Sequence, residues 1–269
     1  MRRFAVVGHR AMSKGKLPLN DLASGAGRMD VLIRALMACL LTSHGLRRDT
    51  QVVLHLMGGP GPPRRIKFDG NTLKGLHAEE RSIAGTIAKV IATPLPPIGH
   101  WQPITAGITH SGGDLGFTLR EWSSGPTVVL DAEAPRLWSD EAVLDQDGAS
   151  NGTTVNFVLS DDQPLNEVSG GDVLRRSLGS TWLQGHMAIG IVHFLLDEGS
   201  NSRFNQPARQ AVNRIVEGMS QQGFIHGEGV ALRPHCEAGE ARFVFLNRIA
   251  IAGLNHRMIH RCGSDRKRG

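Results

Sequence analysis

Two apolar rhythms alternate along the first half of the chain. "RFAVVGHR" is a short apolar run closed by Gly and basic residues, the pattern of a buried strand. "AMSKGKLPLNDLASGAGR" is rich in turn formers and predicts a loop. "MDVLIRALMACLLTSHG" carries apolar residues at helical spacing and predicts a helix that stops at His44-Gly45, with the glycine as its cap. "TQVVLHLMG" predicts a strand, and "GPGPPRRIKFDG" a connection into a second short strand, Ile66 to Phe68. "HAEERSIAGTIAKVIA" predicts a helix with Glu79 and Glu80 in its first turn, where the helix macrodipole favours acids.

The Pro-rich "TPLPPIGHWQP" reads as a surface loop within one domain. After it, "DLGFTLREW" predicts a short helix and "PTVVLDAEA" a strand. "SDEAVLDQDG" predicts a short helix started by Ser139 or Asp140, and "TTVNFVLS" another buried strand. "SLGS" then opens a long helix, "WLQGHMAIGIVHFLLDEG", apolar over much of its circumference and so buried on more than one face, in a core or against a partner. Past Ser200 the texture changes. "QPARQAVNRIVEGMSQQG" predicts an amphipathic helix, "ARFVFLNRIAIAGL" is a strand or a buried helix, and "RCGSDRKRG" reads as an irregular end. Strands alternating with helices imply an α/β fold around a largely parallel sheet.

Composition changes this picture little. The 269 residues, 40% hydrophobic and 20% charged, are enough for one sizeable core with an appendage. The formal charge of +5 and the clusters "MRR", "LRRD", "PRRIK", "LRRS" and "DRKRG" fit either solvated surface or a polyanion partner. Cys39, Cys236 and Cys262 are isolated, so neither a zinc site nor a disulfide framework is expected, and Cys39 reads as a core residue. His226, His235 and Cys236 lack ligand spacing, and no metal is expected. His186 and His193, seven apart, would share a helix face in packing or interface roles, and His55 reads as a satisfied core histidine. With no stretch of about 18 apolar residues and no secretory signal, the expectation is a cytoplasmic protein with no membrane contact.

Two turns carry the candidate chemistry. "LSDD" follows the apolar strand "VNFVL", at the end where ligands bind in open α/β sheets. "SLGS", placed at a helix start, would offer unpaired N–H groups and a flexible glycine. Leu159, Leu178 and Leu183 would supply apolar walls, a combination suited to an adenine or nucleoside. Ordinary turns with a Ser cap remain the alternative. Neither a GxGxxG after the first strand nor a Walker motif is present.

Several stretches, in order, resemble one family: "LPLNDLASGAGRMDVLIRALMACLLTSHGLRRD", "PPRRIKFDGNTLKGLHAEERSIAGTIAKVI", "FVLSDDQPLNEV" and "SLGSTWLQGHMAIGIVHFLLDEG". Residues 1 to about 199 are similar to the TrmY family, S-adenosylmethionine (SAM)-dependent methyltransferases of the SPOUT superfamily that methylate N1 of pseudouridine in tRNA. The resemblance implies a SPOUT-type α/β fold with a C-terminal trefoil knot over 1–199, followed by an extension over 200–269, and a homodimer. It implies SAM contacts at Leu159, Ser160 and Asp161 in the first turn, and at Ser177, Leu178, Gly179 and Leu183 in the second. It places Arg28 and Asp30 of "GRMD" near the target nucleoside, with Asp30 as base or substrate orienter; without it they read as a helix-start basic/acidic pair. Arg47, Arg48, Lys67 and Arg81 would contact RNA phosphates or lie on solvated surface. The chain departs from the family where Ser160 and Asp162 stand for Gly and His. Two other readings stay open, a SPOUT methyltransferase recruited to a nucleoside, metabolite or peptide, and a SAM- and RNA-binding protein without catalysis.

Overall fold

A computed structural model of the chain describes residues 1–123, 125–137, 154–165, 168 and 173–198. The elements in chain order are β1 (Arg2–Met12), α1 (Met29–Leu40), β2 (Leu41–Thr42), β3 (Gly45–Leu46), β4 (Thr50–Gly58), β5 (Arg64–Asp69), α2 (Glu80–Ala92), β6 (Gln102–Thr105), β7 (Ile108–Gly112), α3 (Leu115–Glu121), β8 (Thr127–Leu130), β9 (Val155–Ser160), β10 (Val173–Arg176) and α4 (Gly185–Glu198). Eight strands form one sheet in the order β10-β8-β9-β1-β4-β5-β7-β6. The five from β10 to β4 run parallel, while β5, β7 and β6 add antiparallel strands at one edge. The result is an α/β fold with a mostly parallel sheet.

Alternation along the strands divides the core into two layers. Phe4, Val6, Val52, Leu54, Leu56, Ile66, Phe68 and Phe157 point to one face, where α1, α2 and α4 cover them. Ala5, Val53, Val129 and Val158 point to the other, beneath Trp122 at the end of α3. That second face also holds Arg65, fully buried. Its guanidinium donates to Gly112 O, reaches Thr118 and Ser111, and pairs with Glu121 at 2.9 Å.

Four expectations need correction. First, α1 ends at Leu40, not at Gly45. Leu41 and Thr42 pair with Leu46 and Gly45 in a small antiparallel hairpin, and Arg47 N–H satisfies the Leu40 carbonyl. Second, "SLGS" does not start α4. Ser177 is tied in an extended conformation, its N–H to Pro135 O and its C=O to Leu137 N–H, and the helix begins at Gly185. Third, the loop expected through Pro103 gives way at Gln102 to β6, and β7 and β10 were not anticipated either, because all three are short and lie at or near the sheet edges. Fourth, His55 is buried but not satisfied, since neither ring nitrogen has a hydrogen-bond partner among the described residues. The helix expected at 139–148 and everything expected of 200–269 lie outside the described residues.

Other expectations hold. Glu79 caps α2, its carboxylate accepting from Arg81 N and Ser82 N. Cys39 is buried in the core. His193 is a packing residue, its Nδ1 accepting from Arg2 and its Nε2–H donating to Cys39 O, with its ring 5.1 Å from Phe4.

Candidate active site

Loops that leave the carboxyl ends of the parallel strands gather at one end of the sheet, where an α/β fold leaves backbone groups free for a ligand. The first of these loops follows β9. Val7 of β1 is in register with Ser160, and Asp161 N–H donates to Val7 O at 2.8 Å. The Asp161 carboxylate is fully buried. It accepts from His9 N at 2.7 Å, from the His9 ring at 2.8 Å and from Gln163 N at 3.0 Å. Because an ionised carboxylate only accepts, His9 Nδ1 carries the proton in that contact. Ser160 Oγ meanwhile donates to Gln163 O. The side chains of Ser160 and Asp161 therefore brace this loop against Gln163 and β1.

The second loop, 177–184, follows β10. Its start is anchored to residues 135–137, and Gly179 takes a positive φ of 140°. Among the described residues, no backbone N–H from Leu178 to Gln184 donates to another backbone group. A Cβ added to Gly185 would lie 3.8 Å from Ser160 O, so the start of α4 stands directly beside the first loop. Leu159 and Leu178 are buried in one apolar cluster, with Leu183 packed against it. Free main-chain donors beside apolar walls are a donor set that fits an adenosyl group.

A charged network borders these loops. Arg28 precedes α1 with φ 65° and is the non-glycine residue of positive φ among the described residues. Such a conformation costs a bulky side chain on the order of 1 kcal/mol and persists where the surroundings over-determine it. Arg28 Nε donates to Asp30 at 3.1 Å, and Arg34, one turn on, pairs with the same carboxylate. On its other side Arg28 pairs with Asp162 at 3.2 Å, and Asp162 also pairs with Arg10 at the end of β1. Burial alone would raise the Asp162 carboxyl, but the hydrogen bond and charge of Arg10, with Arg28 behind it, hold it below the usual carboxylate range. Gly27 and Gly58 lie against the Arg10 carbonyl, where a Cβ on either would collide with it.

Asp30 and Arg28 are thus brought together and face the first loop through Asp162. The four cations expected at RNA lie elsewhere. Arg47 pairs with Asp197 of α4 at 2.7 Å, while Arg48 donates to the carbonyls of Gly70, Asn71 and Leu73. Lys67 sits on the second sheet face, 4.3 Å above the Trp101 ring. There burial lowers its pKa, against the pull of Glu121 and Asp69 and with the push of Arg65 and Arg3. Arg81 is exposed in the first turn of α2. Sequence reasoning missed Arg34, Arg10 and His9. Arg34 was accessible through its i,i+4 spacing from Asp30; Arg10 and His9 carry no local signal, since their partners are 152 residues away.

Among the described residues no helix is long and apolar enough to cross a membrane, and no cluster of His, Cys, Asp or Glu could hold a metal ion. Comparison with known proteins agrees with the cofactor chemistry. Residues 1–200 match the family model of SAM-dependent RNA methyltransferases. A Methanosarcina acetivorans protein named tRNA (pseudouridine(54)-N(1))-methyltransferase is 43% identical over 213 residues, covering 77% of this chain and 96% of the relative. Proteins of the same name from Methanocella arvoryzae (48% over 167 residues, 55% of this chain and 86% of the relative) and Methanosarcina mazei (31% over 212 residues, 77% and 96%) are similar too. The chain is an enzyme of the SAM-dependent RNA methyltransferase family.

Proposed function

We propose that the chain transfers the methyl group of SAM to N1 of pseudouridine in the T-loop of tRNA, the reaction for which its relatives are named. The observation that carries this reading is the juxtaposition of Arg28 and Asp30 with the loop at Ser160–Gln163 through Asp162. SAM supplies an electrophilic methyl group. The adenosyl portion would lie against Leu159, Leu178 and Leu183, with main-chain atoms of Ser160 and Gly179 and the Asp161 carbonyl as its polar partners; Ser177, whose backbone groups are both taken by residues 135–137, would only shape the loop.

The residues of the chain then align and stabilise. Methylation of a ring nitrogen requires its N–H proton to leave while negative charge spreads onto the ring carbonyls. Both Asp30 oxygens already accept from arginines, which favours an orienting role in which Asp30 accepts the N1–H hydrogen bond; as the N1–methyl bond forms, the proton would pass to solvent water and the methyl donor would leave as a neutral thioether. The Arg28 guanidinium faces the charge that develops on the carbonyl. Preorganised charge of this kind is worth several kcal/mol in a water-poor site. For RNA phosphates we assign Arg81, with Arg47, Arg48 and Lys67 contributing second to their contacts in the fold.

The topology supports a knotted C-terminal segment. From β10, at the sheet edge beyond β8, the chain returns across the ends of β8 and β9 to reach α4, which packs on α1. We assign the knot to this return, the SPOUT domain to residues 1–199, and an accessory role to 200–269. Trp182, 61% exposed just before α4, supports a homodimer interface there. A tRNA-modifying enzyme of this kind is assigned to the cytoplasm. The test is transfer from methyl-labelled SAM to a tRNA with pseudouridine in its T-loop, against a matched uridine tRNA. Label on the first alone is expected, and equal label on both contradicts the proposal.

A further inference from the structure

Asp162 is the joint between two parts of the site that the sequence keeps far apart. It belongs to the loop after β9, beside the cofactor main-chain atoms, yet both its partners come from the amino-terminal segment. Arg10 lies at the end of β1, and Arg28 stands at the head of α1. Asp161, the neighbouring acid, is already saturated by His9 and Gln163 and cannot take its place. Arg10 has no other side-chain partner among the described residues, and its side chain is 51% exposed. Arg28 has Asp30 on one side and Asp162 on the other, so its guanidinium plane is set by two carboxylates. Three arginines (Arg10, Arg28, Arg34) against two carboxylates (Asp30, Asp162) leave the cluster with an excess positive charge, suited to a ring that becomes anionic as it reacts.

We infer that Asp162 is a positioning residue for methyl transfer: its carboxylate holds Arg10 and Arg28 side by side at the cofactor loop, with both guanidinium groups turned toward the carbonyl oxygens of the target base. This rests on the function proposed above. Without the carboxylate the two arginines repel each other, Arg10 turns to solvent, and Arg28 keeps only Asp30. The cofactor loop keeps its own braces through Asp161 and Ser160, so SAM binding survives while alignment fails. Misplacement of a charge-stabilising group by about 1 Å costs turnover rather than affinity.

The experiment compares Asp162→Asn and Asp162→Glu with the full-length wild-type chain, reading kcat, KM for the pseudouridine tRNA and the Kd for SAM. The expected result is a fall in kcat of about tenfold or more for Asp162→Asn, with SAM affinity within about twofold and most of the loss recovered by Asp162→Glu. A second readout does not depend on the acceptor. In the NMR spectrum of the SAM-bound protein, the Arg28 Nε–H signal, identified by its loss in Arg28→Lys, is expected to move in Asp162→Asn and to stay in Asp162→Glu. An Asp162→Asn enzyme with wild-type kcat, or one whose SAM affinity falls in step with kcat, overturns the inference. If the wild-type chain methylates neither tRNA, the proposed substrate fails, and an unmoved Arg28 signal in Asp162→Asn then overturns the positioning role separately.

Discussion

Arg28 and Asp162 are 134 residues apart in the chain and 3.2 Å apart in the fold. That ion pair ties the residues expected to meet the target base to the loop expected to meet the cofactor. It is partly exposed, and by itself it contributes little to stability. Its value is orientation, because Arg28 takes a left-handed backbone conformation that only a fixed environment maintains.

Arg28→Lys tests the demand for a planar, forked cation. A lysine keeps the charge but cannot face Asp30 and Asp162 together. The predicted outcome is a fall in kcat of about a hundredfold with SAM affinity unchanged, read by steady-state kinetics and calorimetry.

Asp30→Asn keeps the shape of the side chain and removes the acceptor charge between Arg28 and Arg34. Turnover should be abolished while SAM affinity stays nearly intact. A variant that binds SAM and still turns over at the wild-type rate would exclude Asp30 from the chemistry.

Much of this scaffold was readable from residue pattern, and the exceptions have physical reasons. The long apolar runs of β1, β4 and β9 and the periodic stripes of α1 and α2 declare themselves because their burial follows a fixed period. The edge strands β6 and β10 do not, since short polar segments become strands only through the neighbour they pair with. Ser177 misled for a related cause: a Ser-Leu-Gly-Ser turn resembles a helix cap, but its backbone is claimed by residues 135–137. At the site, the pairing of Arg28 with Asp30 was legible, since the two stand two residues apart, while their roles were implied only by the family resemblance. The partnership of Asp162 with Arg10 and Arg28 was not, because it depends on β9 lying beside β1.

Arg47→Ala should act on the fold more than on RNA. Arg47 and Arg2 both pair with Asp197 and fasten the end of α4 to the amino-terminal half. The predicted loss is about 1 kcal/mol of stability, shrinking as salt is added. The slope of log Kd against log salt for tRNA should change little, whereas Arg81→Ala should reduce it by about one phosphate contact.

Acid should destabilise the protein through two buried histidines. Burial, aided by Arg65, pushes His55 down to about 3, and burial with Arg47 and Arg2, against Asp197 and the Cys39 carbonyl, pushes His193 down to about 3. Unfolded, each binds a proton near its ordinary pKa of about 6.5, which the folded state refuses. Their contribution is therefore complete above about pH 6.5 and is lost progressively as pH falls toward 3, by on the order of 1 kcal/mol per pH unit for each group. Denaturant melts between pH 7 and 4.5 should show this slope, and His55→Phe should flatten it.

The most direct measurement identifies the methylated product. Wild-type protein, methyl-labelled SAM and a tRNA carrying T-loop pseudouridine are incubated, the RNA is digested, and the labelled nucleoside is identified by mass and retention. The account predicts one labelled product, N1-methylpseudouridine. Label in any other nucleoside, or none in RNA while the protein still binds SAM, would contradict it.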